Sequence, residues 1–263
     1  MNFIKTLGSE FKKYRKYMIF AAKSQLKSEV ANSYLNWLWW IIEPLCMMII
    51  YSVIFGTLFG MSEPYFNVFI FLGLAIWDYF NRCAKSAVKL VKRNKSIVSK
   101  VYIPKYILLV SEMMVNMFKM FICLAISFIM ILIYKVPLTL NILYAIPILI
   151  VSIIFTFGIC VFLMHFGVFI EDLANIINIV LKFAFYFTGI FYSIQTRFPS
   201  PYKEILLNCY PLATLIEMLR DCTLYGKGIN IILLLVLFIV SMAISLLGIK
   251  CVKKNENTYV KVI

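Results

Sequence analysis

RCAKSAVKLVKRNKSIVSKVYIPK runs from Arg82 to Lys105 and carries eight Lys or Arg with no acid. Long apolar runs flank it on both sides. Positive charge between two membrane spans resists translocation, so a segment this basic stays in the cytoplasm and orients every span around it. Charge retention accounts for the lysines but not for the apolar ending Val101-Tyr102-Ile103-Pro104-Lys105. Residues 92–103 hold no Gly or Pro and can form a short helix, which Pro104 ends because the residue before a proline avoids helical geometry. Ile97, Val98, Val101 and Tyr102 would share its apolar face, with Lys95, Ser96 and Lys100 beside it and Ile103 closing it. This is the pattern of a docking surface for a soluble partner.

Composition sets the class. The 263 residues are 63% hydrophobic and 14% charged, with a mean hydropathy of +0.91. Soluble domains average about 45–50% apolar and about 25% charged residues, so an integral membrane protein is expected. The formal net charge of +14 is then read as cytoplasmic charge facing anionic lipid rather than as a nucleic-acid surface. The N-terminal stretch is too polar for a signal peptide. The seven cysteines form no C-x-x-C pair and read as small hydrophobes.

Residues 1–35 place Phe3, Ile4, Leu7, Phe11, Tyr14, Met18, Ala22, Leu26 and Val30 at helical spacing, with lysines mainly on the other face. An amphipathic cytoplasmic helix lying along the membrane interface is expected. Spans are expected at 37–60, 65–84, 106–134, 142–168, 174–194 and 229–249. In the first, Pro44 would open a helix turn and hold Glu43 near the boundary. Ser62-Glu63-Pro64 makes a short outer turn. In the second, Asp78 and Arg82 are four apart and can pair. Residues 85–105 form the cytoplasmic coupling loop. Lys119 falls near the middle of the third span and pairs with Glu112 or with a neighbouring span, or else faces a channel. Residues 138–170 carry no charge, with Pro147 marking a bend or the end of a lead-in, and His165 lies near the cytoplasmic end. Residues 195–228 hold Pro199, Pro201 and Pro211 beside apolar pieces, which fits short helices dipping back into the outer leaflet. Cys209 and Cys222 on that side either pair or remain free.

The basic residues test this arrangement. Seven lie in the N-terminal arm, eight in the central stretch and four in the tail, including Lys261. Five lie outside (Lys135, Arg197, Lys203, Arg220 and Lys227), and Lys119 and Lys182 fall within spans. The bias puts both termini in the cytoplasm. The expected fold is all-α and integral to the membrane. It has six transmembrane helices, an N-terminal amphipathic interface helix, and re-entrant extracytoplasmic helices between spans five and six.

Ser33-Tyr34-Leu35-Asn36-Trp37-Leu38-Trp39 through Glu43-Pro44-Leu45 resembles the S-x-L-G-x-x-W…P-L signature of membrane subunits of type-2 ABC exporters for polysaccharide, O-antigen and teichoic acid. Ser96-Ile97…Lys100-Val101-Tyr102-Ile103-Pro104-Lys105 is similar to their L-I…K-V-x-F-P-R segment. Glu171-Asp172-Leu173 resembles their R-D-L, and Phe191-Tyr192-Ser193-Ile194 the aromatic end of their fifth span. Tyr210-Pro211-Leu212-Ala213…Glu217…Arg220-Asp221 resembles their N-P-L…E…R segment. Asn36, Lys105, Glu171 and Tyr210 depart from the usual Gly, Arg, Arg and Asn.

The resemblance implies a permease subunit and not an enzyme. The chain has no Walker A sequence, so ATP and Mg would be bound by a separate ATPase subunit, with no cofactor on this chain. It implies two ATPase copies, a second copy of the permease, a lipid-linked glycan as cargo, and membrane lipid but no nucleic acid as partners. The coupling residues would be Lys95, Ser96, Ile97, Val98, Lys100, Val101, Tyr102, Ile103 and Pro104. Trp37, Tyr51, Phe185, Tyr186 and Tyr192 would line a channel between the copies, and Pro211, Glu217 and Arg220 would gate it outside. A small-molecule or drug exporter of the same plan is the alternative. A membrane-embedded lipid-linked transferase would need clustered His or acids at the interface, and the chain has one His with scattered acids.

Overall fold

The computed structural model of the chain describes residues 2–31, 34–60, 63–256 and 258–259, with backbone alone for residues 2–4. Ser33, Ser62, Lys261 and the side chains of Phe3 and Ile4 lie outside the described residues. Every regular element among the described residues is helical.

Helix α1 (Asn2–Val30) buries Leu7, Met18 and Ala22. Its polar face is not wholly solvated. Glu10 accepts from Tyr106, Gln25 donates to Glu112 at 3.1 Å, and Glu29 pairs with Lys119 at 2.6 Å. These contacts ascend both chains together, so α1 runs beside α5 (Lys105–Ile133) in the same direction. Lys119 therefore meets α1 rather than Glu112.

The next 23 residues form one helical stretch, Asn36–Leu58. It opens with a 3-10 turn (Asn36–Leu38), continues as α2 (Trp39–Tyr51) and ends as a π-helix (Ser52–Leu58). Pro44 lies inside α2 rather than opening it, and the left-handed residue of this stretch, Asn36 at φ +51, comes about two turns earlier. Glu43 meets Arg82 at 3.2 Å. Arg82 is thereby taken from Asp78, its expected partner.

Helix α3 (Phe66–Arg93) continues nine residues past the expected end of its span. Cys83, Ala84, Ala87, Val88, Leu90 and Val91 are buried while Lys85, Lys89 and Lys92 are exposed, so the basic stretch begins as amphipathic helix rather than loop. A single turn, α4 (Lys95–Val98), and an irregular piece through Pro104 then lead into α5. A 3-10 lead-in (Leu140–Tyr144) precedes α6 (Ala145–Phe169), with Pro147 in its first turn rather than at a bend. Gly167 of α6 lies so close to α3 that a Cβ would come 2.1 Å from the Val88 carbonyl oxygen.

Helix α7 (Leu173–Phe187) is shorter than the 174–194 span expected. Thr188 turns its hydroxyl back to the Ala184 carbonyl at 2.7 Å, and Gly189, at φ +71, ends the helix. Three short helices follow: α8 (Ile194–Arg197), α9 (Tyr202–Cys209) and α10 (Pro211–Thr223). Helix α10 is almost wholly buried, against α3 and α6, whereas α9 has no buried residue. The last helix, α11 (Ile231–Lys254), starts at a cap in which Asn230 accepts from the Leu233 amide at 3.1 Å.

Four stretches, Asn36–Leu58, Lys105–Ile133, Leu140–Phe169 and Ile231–Lys254, are long and apolar enough to cross a membrane. The chain is a multi-pass membrane protein. Helices α3, α5, α6, α10 and α11 share the core. Helix α2 buries only Pro44 and Met48, and α7 only Leu181, so both present open apolar faces.

Candidate functional site: a coupling turn, an aromatic groove and an outer lock

The turn after α3 presents Ile97, Val101 and Tyr102 outward, with Lys95, Ser96 and Lys100 exposed around them. Val98 points inward instead, and Ile103 and Pro104 are buried. The expected four-residue apolar face is thus three exposed residues on one inward anchor. A one-turn helix must seat one side chain on the bundle to hold its orientation.

Residues far away in sequence fix that orientation. The Tyr102 hydroxyl donates to Glu256 at 2.9 Å. Glu256 also accepts from the Lys105 backbone N–H at 3.3 Å and pairs with its ammonium at 3.8 Å. Partial burial, and then the Glu256 carboxylate, push the Tyr102 phenol up to about 12, so it remains a donor at neutral pH. Beside this, Lys253 pairs with Glu10 at 2.5 Å, and the Tyr259 hydroxyl lies 2.5 Å from His165 Nδ1. His165 is therefore held by the tail. On the other side, Glu112 accepts from Arg93 at 2.6 Å, Ser86 at 2.7 Å and Gln25 at 3.1 Å, which joins α3, α5 and α1. Glu10, Glu112 and Glu256 carry no local motif, and pairing over as many as 243 residues leaves no spacing signal.

Four of the five expected aromatic residues, Tyr51, Phe185, Tyr186 and Tyr192, lie together. Tyr51 lies 6.0 Å from Phe185 and 4.9 Å from Phe191 between ring centres, and Phe55 stacks on Phe191 at 4.0 Å. Phe185 contacts Tyr186 at 5.5 Å and Trp77 at 5.6 Å. The Tyr192 hydroxyl donates to the Tyr186 carbonyl at 2.5 Å. Trp37 is not part of this group. It is exposed and fourteen residues before Tyr51, about 21 Å along a helix. Sequence reading missed Phe55, Trp77 and Phe191. The Phe191 signal was there, in the aromatic end of the fifth span, but its partner on the π-helix was not readable.

Between α2, α3 and α7 the rings of Tyr51, Trp77, Phe185 and Tyr186 wall a groove of about 380 Å³. Asp78, Asn81, Lys85 and Lys182 supply its polar side.

On the far side, Arg220 is fully buried and does not pair with Glu217. It donates to the carbonyls of Phe69 at 3.1 Å, Gly189 at 2.7 Å and Ile190 at 3.1 Å, with its guanidinium 3.5 Å from the Phe69 ring centre. Gly73 makes room for it, since a Cβ there would lie 2.5 Å from Nη2. Glu217 accepts from the Ile194 amide at 2.6 Å. Pro211 begins α10, where its missing N–H leaves no helical bond unmade. Glu217 and Arg220 thus hold separate points of the backbone that follows α7. Cys209 is exposed, Cys222 is buried, and both are free thiols.

Residues 18–224 match the family described as ABC-2 type transporter. Two O-antigen export system permease proteins RfbA of Klebsiella pneumoniae are 23% and 24% identical over 247 residues, covering 94% of this chain and 94% of theirs. An O-antigen export system permease protein RfbA of Myxococcus xanthus is 22% identical over 209 residues, 80% of each chain.

Proposed function

We propose, from the premise that this chain belongs to the ABC-2 type transporter family, that it forms the membrane path of an ATP-driven exporter for a lipid-linked polysaccharide of the O-antigen kind. The observation that carries this reading is similarity to the O-antigen permeases over 94% of both chains. The family implies a separate ABC ATPase, and the chain is a transport subunit rather than an enzyme. On this reading ATP and Mg sit on that partner and this chain holds no cofactor.

The path runs between two copies of the chain. The open faces of α2 and α7 support it, because each helix buries little within one copy. The rings at Tyr51, Phe185, Tyr186 and Tyr192 offer flat surfaces along which sugars slide without a fixed register. Two ATPases dock on the two coupling turns, where Ile97, Val101 and Tyr102 are exposed and Glu256 braces the segment. When ATP closes the partners, α4 pushes on α3, which it follows directly, and through residues 99–104 on α5. Six spans with cytoplasmic termini in the cytoplasmic membrane follow from the Lys and Arg bias. Helices α3 and α7 serve as the second and fifth spans, and α9 and α10 re-enter the outer leaflet. Teichoic acid, another lipid-linked glycan, is the nearest alternative cargo.

The test is deletion of the gene in its own host, with surface glycan measured by lectin or antibody labelling. Loss of surface glycan with lipid-linked glycan accumulating inside is expected. Unchanged surface glycan with altered drug tolerance would overturn the reading in favour of a small-molecule exporter.

A further inference from the structure

Asp78 is left over once the ion pairs are assigned. Arg82, one turn further along α3, faces Glu43 instead. Among the described residues Asp78 has no hydrogen bond and no ion pair within 4 Å, and the cations that act on it from further away are Arg82 and Lys85. A carboxylate within a membrane-spanning helix is costly without a partner and is retained where it meets substrate. Asp78 lies on the wall of the groove between α2, α3 and α7, with Asn81 about one turn and Lys85 about two turns further along the same helix. Lys182 enters from α7, and Tyr51 and Phe185 provide aromatic surface. Lys85 and Lys182 are exposed and hold no ion pair among the described residues.

We propose that this groove binds a phosphorylated sugar, with the sugar hydroxyls on Asp78 and Asn81 and the phosphate on Lys85 and Lys182. A carboxylate and an amide take directed hydrogen bonds from hydroxyls, and the C–H face of a sugar lies on the rings opposite. Two ammonium groups against one carboxylate leave the groove cationic, and a phosphate offers them charge-assisted bonds. Asp78 would repel that phosphate, which sets its orientation toward Lys85, about 10 Å away along α3. A largely aromatic site with a few convergent polar groups is the usual form of a small-ligand site. The inference rests on the reading of the cargo as a lipid-linked glycan. It adds that the polar residues of α3 and α7 select the head group where the aromatic surface alone would slide along any sugar.

The test uses the permease bound to its ATPase in lipid nanodiscs and three probes with one tail: farnesyl phosphoryl glucose, farnesyl phosphate and farnesyl glucoside. The wild-type complex is expected to bind the first about tenfold or more tightly than either half-probe. Asp78→Asn should lose the gain from the sugar, and Lys182→Met the gain from the phosphate. Equal binding of all three probes, or an unchanged ranking in both variants, would overturn the proposal. So would separation of the two copies by either substitution, because the charges would then be subunit contacts. If Asp78→Asn does not fold, Asn81→Ala and the exposed Lys182→Met carry the same comparison. A wild-type complex that exports no glycan would instead sink the function reading. Normal export with variant-independent probe binding would sink only this inference.

Discussion

Arg220 donates to three carbonyls on two segments and lies over an aromatic ring, so its removal strips partners from Phe69, Gly189 and Ile190 together. Each buried carbonyl left unpaired costs roughly 1–3 kcal/mol. Arg220→Ala should therefore lower the melting temperature of the detergent-purified protein and reduce its yield, rather than make a folded but leaky channel. Arg220→Lys should recover little, because an ammonium cannot reproduce the guanidinium fork. A folded Arg220→Ala protein with wild-type melting would show that Arg220 gates rather than locks. At the coupling turn, neighbouring residues should separate two effects. Ile97 is exposed, so Ile97→Asp should release the ATPase on co-purification while the permease stays folded in the membrane. Val98 is buried, so Val98→Asp should unfold the turn and lower melting as well. ATPase retention at the wild-type level by both variants would rule out this turn as the docking surface. Much of this site was legible, because Pro104 and the run of lysines are local signals. That Val98 faces inward was not, since one turn of helix has too few residues to show which side is covered.

Among the elements, α3 and α6 approach most closely where Gly167 meets the Val88 carbonyl. Gly167→Val should force the helices apart and destabilise the protein by about 1–3 kcal/mol, read as a lower melting temperature. Gly8, where a Cβ would meet nothing, should accept Ala with no fall in melting temperature, or a slight rise from the better helix former, and serves as the control. The extension of α3 to Arg93 was readable in retrospect from Ala84, Ala87, Val88 and Val91 at helical spacing, but the charge content of the stretch suggested a loop. Burial decided otherwise. The lysines need only one face of that helix, and the alanines let it pack closely. The early end of α7 was hidden for the opposite reason. Residues 183–192 read as continuous apolar sequence, and only the backbone turn at Gly189 breaks it.

At the scale of the molecule, α2 and α7 are apolar helices that bury few residues within one copy. The purified permease with its ATPase should have the mass of two copies of each, measured by native mass spectrometry. A transport-competent complex with one permease copy would contradict the shared path. The C-terminal tail is the other feature of this scale. Lys253, Glu256 and Tyr259 bind the start of α1, the coupling segment and α6.

The amino-acid sequence by itself determined the membrane class, the helical content, the apolar stretches and the location of the basic stretch. Hydropathy and charge are sums over neighbouring residues, and the cost of placing them in lipid is paid stretch by stretch. Only the tertiary structure decided which charges meet. Arg82 has Asp78 one turn away on its own helix, and the approach of α2 gives it Glu43 instead. Lys119 has Glu112 two turns away, and α1 brings Glu29. Arg220 has Glu217 within one turn and bonds to three carbonyls from other segments. In each case the local partner offers a weak pair on one helix face, and the packed helices bring another group closer; only for Arg220 is the charge fully buried. That choice depends on how helices cross, which no single stretch encodes.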